Sequence, residues 1–136
     1  MKTDFMQSGM ASHFLKPNVG ETMNTGAMSH RVSKSYKDNP EYEVKLQPFH
    51  GRLRVIFAGE AIVDTKDAFV LHETRHAPVY YFPLSDVRDG VLEPSDHMTH
   101  CPFKGDASYW SLRVGEVFSR DAVWSYQDPL PEVPEL

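Results

Sequence analysis

The 136-residue sequence has a single cysteine, no long apolar run and no apolar segment of signal-peptide type at its start. One cysteine, Cys101, cannot form an intramolecular disulfide, which agrees with a reducing compartment and leaves a free thiol. No apolar run approaches the roughly 20 residues that a membrane span needs. Since a signal-type segment is also lacking, we predict a cytoplasmic protein without a membrane partner.

Basic residues are also scarce, because 14 lysines and arginines stand against 19 acidic residues, for a formal net charge of −5. Affinity for phosphate backbones depends largely on clustered Lys and Arg, so we expect no nucleic-acid partner. The sequence lacks a Gly-rich phosphate loop, a GxSxG elbow and a paired-carboxylate metal motif, which disfavours the enzyme classes that those motifs define. It predicts no particular cofactor.

Two regions differ in composition. Residues 1–40 contain five of the six methionines, set among Ser, Thr, Asn and Gly without an apolar period. That pattern is typical of a flexible tail. Residues 41–136 contain short apolar segments separated by turn residues, and their length fits one domain.

Segments that alternate apolar and polar residues, or are rich in aromatic and β-branched types, indicate short β-strands. The predicted strands are 53–57, 61–63, 69–73, 79–82, 107–114, 117–118 and 122–126. Because no amphipathic helix of ten residues appears, the predicted fold class is mainly β, a small antiparallel domain. We also predict one helical turn at 85–88 with Ser85 as N-cap, a loop at 94–105 and a polyproline-like extension at 128–134.

The segment around Cys101 contains the residues best suited to take part in a reaction. This cysteine lies between His100 and Pro102, with Lys104 three residues later and His97 four residues earlier. A nearby ammonium or imidazolium stabilises thiolate over thiol and makes a cysteine more nucleophilic. A buried core thiol is the alternative, because cysteine is among the most buried residue types. In any covalent or acid-base step, we expect Cys101 to react, His97 or His100 to act as base and Lys104 to hold an anionic group.

Imidazole and thiol groups are also zinc ligands. A structural zinc site needs four ligands, usually in pairs, and this segment supplies only His97, His100 and Cys101, with no CxxC or HxxxH pair among them. The fourth ligand would have to come from His72 or His76. We therefore predict no metal site.

Other candidate residues have simpler alternatives. Glu73 ends an apolar strand, where a carboxylate beside a cleft can act as a general base or bind a ligand hydroxyl. Pairing with a neighbour such as Arg75, or hydration alone, is the alternative. The aromatic residues Tyr81, Tyr109 and Trp110 can form core or line a ligand site.

Five segments, taken in order, carry a family resemblance. They read Phe-Ala-Gly-Glu at 57–60, Leu-His-Glu-Thr at 71–74, Tyr-Tyr-Phe-Pro at 80–83, Cys-Pro-Phe-Lys-Gly-Asp-Ala-Ser-Tyr-Trp at 101–110 and Trp-Ser-Tyr-Gln-Asp-Pro at 124–129. Over about residues 53–131 the sequence resembles the DUF427 family of uncharacterised bacterial domains. The resemblance implies a small antiparallel β fold of the Mss4-like or β-tent type. It also brings the label nucleotidyltransferase-like, to which no catalytic residues are attached.

The residues and the resemblance together favour a domain that binds a small polar or nucleotide-like ligand in a cleft near the Cys-Pro-Phe-Lys-Gly segment. The residues assigned to catalysis are Cys101, Lys104 and Glu73. Those assigned to ligand contacts are Tyr81, His97, His100, Tyr109 and Trp110. The alternative is a non-catalytic protein-interaction module in which the segment is structural.

The sequence also predicts self-association. Members of the family usually continue past the proline-rich stretch into a further apolar strand, whereas this sequence ends at Leu136. We therefore expect a truncated chain or an open edge at 122–126, and a two-fold dimer is the commonest way to cover such an edge. Light scattering at micromolar concentration should give the mass of a homodimer, and a monomer mass would contradict the prediction.

Overall fold

The computed structural model describes residues 8–11 and 32–136, which form nine strands, one short α-helix and one 3-10 helix. The strands are β1 (Ser8–Ala11), β2 (Val44–Pro48), β3 (Leu53–Phe57), β4 (Glu60–Thr65), β5 (Phe69–Glu73), β6 (Val79–Pro83), β7 (Leu92–Cys101), β8 (Gly105–Val114) and β9 (Val117–Tyr126). Helix α1 covers Lys34–Asp38, and the 3-10 helix covers Leu84–Asp86. The predicted mainly β fold class is confirmed. Neither helix is long and apolar enough to cross a membrane.

Most of the predicted tail, residues 1–40, lies outside the described residues. Within it, β1 pairs in parallel with β6 and, through Gly9 and Trp124, with β9. The other strand pairs are antiparallel, and the seven-stranded sheet has the order β2-β5-β6-β1-β9-β8-β7. Strands β3 and β4 form a separate hairpin. The edge at 122–126 that was expected to be open is therefore paired, because β9 lies between β1 and β8. The dimer itself remains a prediction.

The β3–β4 hairpin joins the strands predicted at 53–57 and 61–63 through a tight turn. Ala58 and Gly59 both have positive φ angles, 52° and 76°. Such angles are required at the two central residues of a type I′ turn, whose twist matches that of the flanking strands. The hairpin packs Val55, Ile62 and Val63 onto the sheet.

The predicted loop at 94–105 is wrong over most of its length. Strand β7 continues to Cys101, so only Pro102, Phe103 and Lys104 connect it to β8. Its residues are poor strand formers, and the pairing with β8 breaks between Pro94 and Met98. The edge that β8 offers outweighs these weak local preferences, because strand formation depends strongly on tertiary context.

The two strands predicted at 117–118 and 122–126 are one strand, β9. An irregularity in the β8–β9 pairing accommodates the polar residues between them. There Asp121 has a φ of 49° and its N–H donates to Ser111 Oγ at 3.0 Å. A bulge of this kind bends a strand without ending it.

The helical turn predicted at 85–88 is also corrected. The 3-10 helix begins at Leu84, so Ser85 lies inside it and is not its N-cap. The helix ends at Asp86 because Val87 is extended and bridges Val63, and the Arg88 N–H donates to the carbonyl of Ile62 at 2.8 Å.

The end of the chain does not form the predicted polyproline-like extension at 128–134. It turns twice, with the Val133 N–H donating to Leu130 at 3.0 Å and the Leu136 N–H donating to Val133 at 3.1 Å. These turns bury Val133 and Leu136. Burial of apolar surface thus outweighs the preference of the prolines for an extended chain.

The sheet has a core cluster on each face, because successive side chains along a strand point to opposite sides. On β6, Phe82 faces the first cluster and Tyr81 the second. The first cluster contains Val55, Ile62, Val63, Phe82, Val91, Leu112, Ala122 and Val123. The second contains Leu71, Tyr81, Ala107, Tyr126, Val133 and Leu136. The β3–β4 hairpin covers the first face, and the end of the chain covers the second.

Candidate functional site

The centre of the site is an ion pair between Glu73 and Lys104. Glu73 ends β5, and Lys104 ends the connection between β7 and β8. The Lys104 ammonium donates to one carboxylate oxygen of Glu73, and the Tyr42 hydroxyl donates to the other. The side chains of Glu73 and Lys104 are only 6% and 11% exposed. The fold therefore holds two opposite charges almost out of water.

The pKa of Glu73 reflects two opposing effects. Burial alone raises the pKa of a carboxyl group. The hydrogen bonds from Lys104 and Tyr42 and the charge of Lys104 together outweigh burial, so the pKa of Glu73 lies below its ordinary value. Glu73 is therefore ionised at neutral pH.

This shift predicts how stability depends on pH. A group whose pKa is lower in the folded state stabilises the fold above its unfolded pKa, about 4.3 for glutamate, and loses that contribution as pH falls through the folded value. Urea unfolding should show that the stability difference between the parent and Glu73→Gln shrinks as pH falls below about 4.3. Asp64, paired with Arg52, also has a lowered pKa and affects both proteins alike. A difference that is independent of pH would contradict the assignment.

Cys101 and several tyrosines surround this pair. Cys101 packs against the second cluster, which contains Tyr81 and Tyr126. Burial raises the pKa of both Tyr81 and Tyr126. A side-chain hydrogen bond joins Tyr81 to Trp124, and the Lys104 ammonium lies 5.9 Å from the centre of the Tyr126 ring. These hydroxyls stay protonated at neutral pH and can donate hydrogen bonds.

The histidines of β7 lie on different faces. His97 contacts the Tyr109 ring edge-on at 4.6 Å, and the hydroxyl of Tyr109 is 2.9 Å from Thr99 Oγ1. His100 instead pairs with Asp106 at 2.6 Å, and both side chains are exposed. Because neighbours along a strand alternate, His100 projects away from the face that Cys101 occupies. His97 is thus the histidine on the tyrosine side.

The structure brings together most but not all of the candidate residues. Glu73, Lys104 and Cys101 meet beside the second cluster, against which Tyr109 also packs. Trp110 packs against the first cluster, on the other face of β8. Together with the exposed His100, it lies apart from the ion pair.

The loop between β7 and β8 is fixed from several directions. The Lys104 N–H donates to Cys101 at 3.2 Å, and the Lys104 carbonyl accepts from the Leu130 N–H at 2.9 Å. Tyr42 stacks on Phe103 with ring centres 3.7 Å apart. Tyr36 meets the same ring edge-on, and its hydroxyl donates to the Phe103 carbonyl at 2.7 Å.

Gly105 permits this loop and predicts a sensitive position. Its φ is 113°, and a Cβ atom there would lie 3.2 Å from the Asp128 carbonyl oxygen. Gly105→Ala should lower the free energy of unfolding by about 1–3 kcal/mol through backbone strain and this contact. Gly115→Ala is the control, because Gly115 has a φ of 57° and nothing within 4 Å of the added atom. Urea denaturation should show the larger loss at Gly105, and equal losses would contradict the expectation.

Residues 72–76, His-Glu-Thr-Arg-His, have the HExxH spacing of zinc peptidases. That motif requires a helix, which places both imidazoles on one face. Here β5 ends at Glu73 and a turn follows, with His76 Nδ1 2.8 Å from the Thr74 carbonyl. Within residues 32–136, no group of three or more His, Cys, Asp or Glu side chains is arranged to hold a metal ion.

A family model described as a domain of unknown function, DUF427, matches residues 45–136. The chain belongs to the DUF427 family. A search among curated proteins finds no match. The DUF427 region supplies Glu73, Lys104 and Cys101, whereas Tyr36 and Tyr42 precede it.

Sequence reasoning missed those two tyrosines as parts of the candidate site. Tyr36 falls in the predicted tail, and Tyr42 lies at the boundary where order was expected to begin. The Tyr42 hydroxyl nevertheless reaches Glu73, and both rings contact Phe103. The only sequence feature that could have pointed to them is the presence of two tyrosines six residues apart in a polar segment. That feature does not indicate which residues the tyrosines contact.

Proposed function

We propose that this DUF427 domain binds a small polar or nucleotide-like ligand beside the Cys101–Gly105 segment, with Glu73 and Lys104 at the centre of the site. Burial of both charges supports this most strongly. Replacing a buried ion pair with apolar side chains of similar volume is often neutral or stabilising, so stability alone explains the pair poorly. Shifted ionisable groups are concentrated at functional sites. A cytoplasmic location, which suits the free thiol, is part of the proposal.

The roles follow from the chemistry of each group. A ligand phosphate or carboxylate would replace Glu73 as the partner of Lys104, because an ammonium binds either anion. Glu73 would then accept a hydrogen bond from a ligand hydroxyl. The ring of Tyr109 offers apolar contact, with His97 against it, while Tyr81 is only 1% exposed and supports the site from within the second cluster.

Thermal unfolding with and without nucleotides tests the proposal. Nucleoside 5′-monophosphates should raise the melting temperature, whereas the same nucleosides should do so much less. Binding to the folded state alone contributes about 2.7 kcal/mol when the ligand is at 100 times its Kd. If neither nucleotides nor other phosphorylated metabolites change the melting temperature, the proposal is wrong.

The variant Glu73→Gln sharpens this test, because it keeps the side-chain shape and removes the anion that competes for Lys104. Nucleoside monophosphates should bind this variant more tightly than they bind the parent. Glu43→Gln is the matched control, since Glu43 pairs with Lys45 at an exposed position. Equal affinities for all three proteins would place the phosphate elsewhere.

A second candidate function, a non-catalytic interaction module with a structural loop, is favoured by the contacts of the loop backbone. The carbonyls of Pro102, Phe103 and Lys104 accept hydrogen bonds from Ser35, Tyr36 and Leu130. Three such contacts in succession hold the loop in one conformation, as a structural element requires.

Thiol chemistry separates the two candidates. A structural Cys101 should label slowly in the native protein, and Cys101→Ser should lose about 1–3 kcal/mol through a buried hydroxyl. A Cys101 that is open to the ligand site should label quickly, because the reagent can reach its sulfur, and its serine variant should keep nearly full stability. Labelling rates and melting curves measured on the same samples give the answer.

A further inference from the structure

A cleft lies at the end of β5 opposite the Glu73–Lys104 pair. It has a volume of about 570 Å³ and is bounded by the segments after β2, before β5 and after β6. Strand β5 has five residues, so its two ends are about 13 Å apart at 3.3 Å per residue. The volume falls within the range typical of small-molecule sites.

Contacts within the protein fix the apolar wall of this cleft. Phe49 donates its N–H to the Ala68 carbonyl at 2.8 Å, and its ring meets Tyr80 edge-on at 5.4 Å. The ring also covers Gly51, where a Cβ atom would lie only 2.7 Å from it. Phe69 lines the same cleft. The position of Phe49 is therefore fixed from three sides.

Charged groups of both signs line the same cleft. Lys66, Asp67, Asp86 and His50 are among its lining residues. None of these four side chains has a hydrogen-bond or ion-pair partner among the described residues. The β3–β4 hairpin differs, because there Arg52 pairs with Asp64 at 2.6 Å. One ammonium and two carboxylates thus remain available to a ligand.

We propose that this cleft binds a compact zwitterion with an aromatic ring, of the amino-acid type. Its ammonium lies at Asp67 and Asp86, its carboxylate at Lys66, and its ring against Phe49. A simple amine would leave Lys66 without a partner, and a simple carboxylate would leave both acids without one. A zwitterion matches both charges and the apolar wall.

Three indole compounds test the proposal on the full chain: tryptophan, tryptamine, which lacks the carboxylate, and indole-3-propionate, which lacks the ammonium. NMR titration should show tryptophan binding about fivefold more tightly than either analogue, as expected for one additional partly exposed ion pair. The shifted amides should be those of residues 49–51, 66–69 and 84–86. Equal affinity for tryptamine, no shifts at millimolar concentration, or shifts confined to residues 101–105 would each overturn the proposal.

Variants that remove one charge show which side chain binds the carboxylate of the ligand and which binds its ammonium. Lys66→Gln should weaken tryptophan about fivefold and leave tryptamine unchanged. Asp67→Asn should weaken tryptophan and tryptamine and leave indole-3-propionate unchanged. The controls Lys37→Gln and Asp96→Asn remove exposed charges elsewhere and should change nothing. If Lys66→Gln binds tryptophan as the parent does, the proposed orientation is wrong.

Discussion

Lys104→Met is expected to lower the free energy of unfolding by about 3 kcal/mol, because it leaves the buried carboxylate of Glu73 without its countercharge. We take the lower end of the usual range, since Tyr42 still donates to Glu73 and the carboxyl can take up a proton. Urea denaturation at pH 7 measures the loss. Removing both charges, in Glu73→Gln with Lys104→Met, should restore much of it.

Lys45→Met is the matched control for this prediction. Lys45 pairs with Glu43 at 2.8 Å, but both side chains are more than half exposed. Exposed pairs contribute about 0.2–1 kcal/mol. If Lys104→Met costs no more than Lys45→Met, the Glu73–Lys104 pair is solvated, and the main support for the proposed ligand site is lost.

Leu136→Ala is expected to cost about 2–5 kcal/mol, the range for a buried leucine that leaves a cavity. Leu136 is only 1% exposed and packs in the second cluster with Leu71 and Tyr81. Leu84→Ala is the control, since Leu84 is 47% exposed and should change the unfolding free energy by less than about 0.5 kcal/mol. Thermal melts of both variants provide the measurement. If Leu136→Ala leaves the free energy of unfolding unchanged, the end of the chain does not dock on the sheet.

Local sequence patterns predicted the elements whose formation depends mainly on neighbouring residues. The β3–β4 hairpin follows from alternation around Gly59, and β5 has the predicted bounds. Strand β7 could not be predicted in this way, because it is held by pairing with β8. Nor could the turns after residue 128 be predicted, since they exist to bury Val133 and Leu136 against distant strands.

The candidate site shows the same division. Glu73 and Lys104 were each selected for their chemistry, one at a strand end and one in a loop. Their pairing joins residues 31 apart in the sequence and depends on the sheet. The cleft at Phe49 and Lys66 gave no signal in the sequence, because three separate segments form it.

The hydrogen bond from Tyr42 to Glu73 affects where this protein can be divided for expression. The family match begins at residue 45, three residues after Tyr42. A fragment that begins at residue 45 would lack Tyr42. It would therefore lose the hydroxyl that donates to Glu73 and the ring that stacks on Phe103. Its carboxylate and loop would differ from those of the full chain, although every residue of the matched region would be present. The structural boundary of this domain therefore lies upstream of its family boundary.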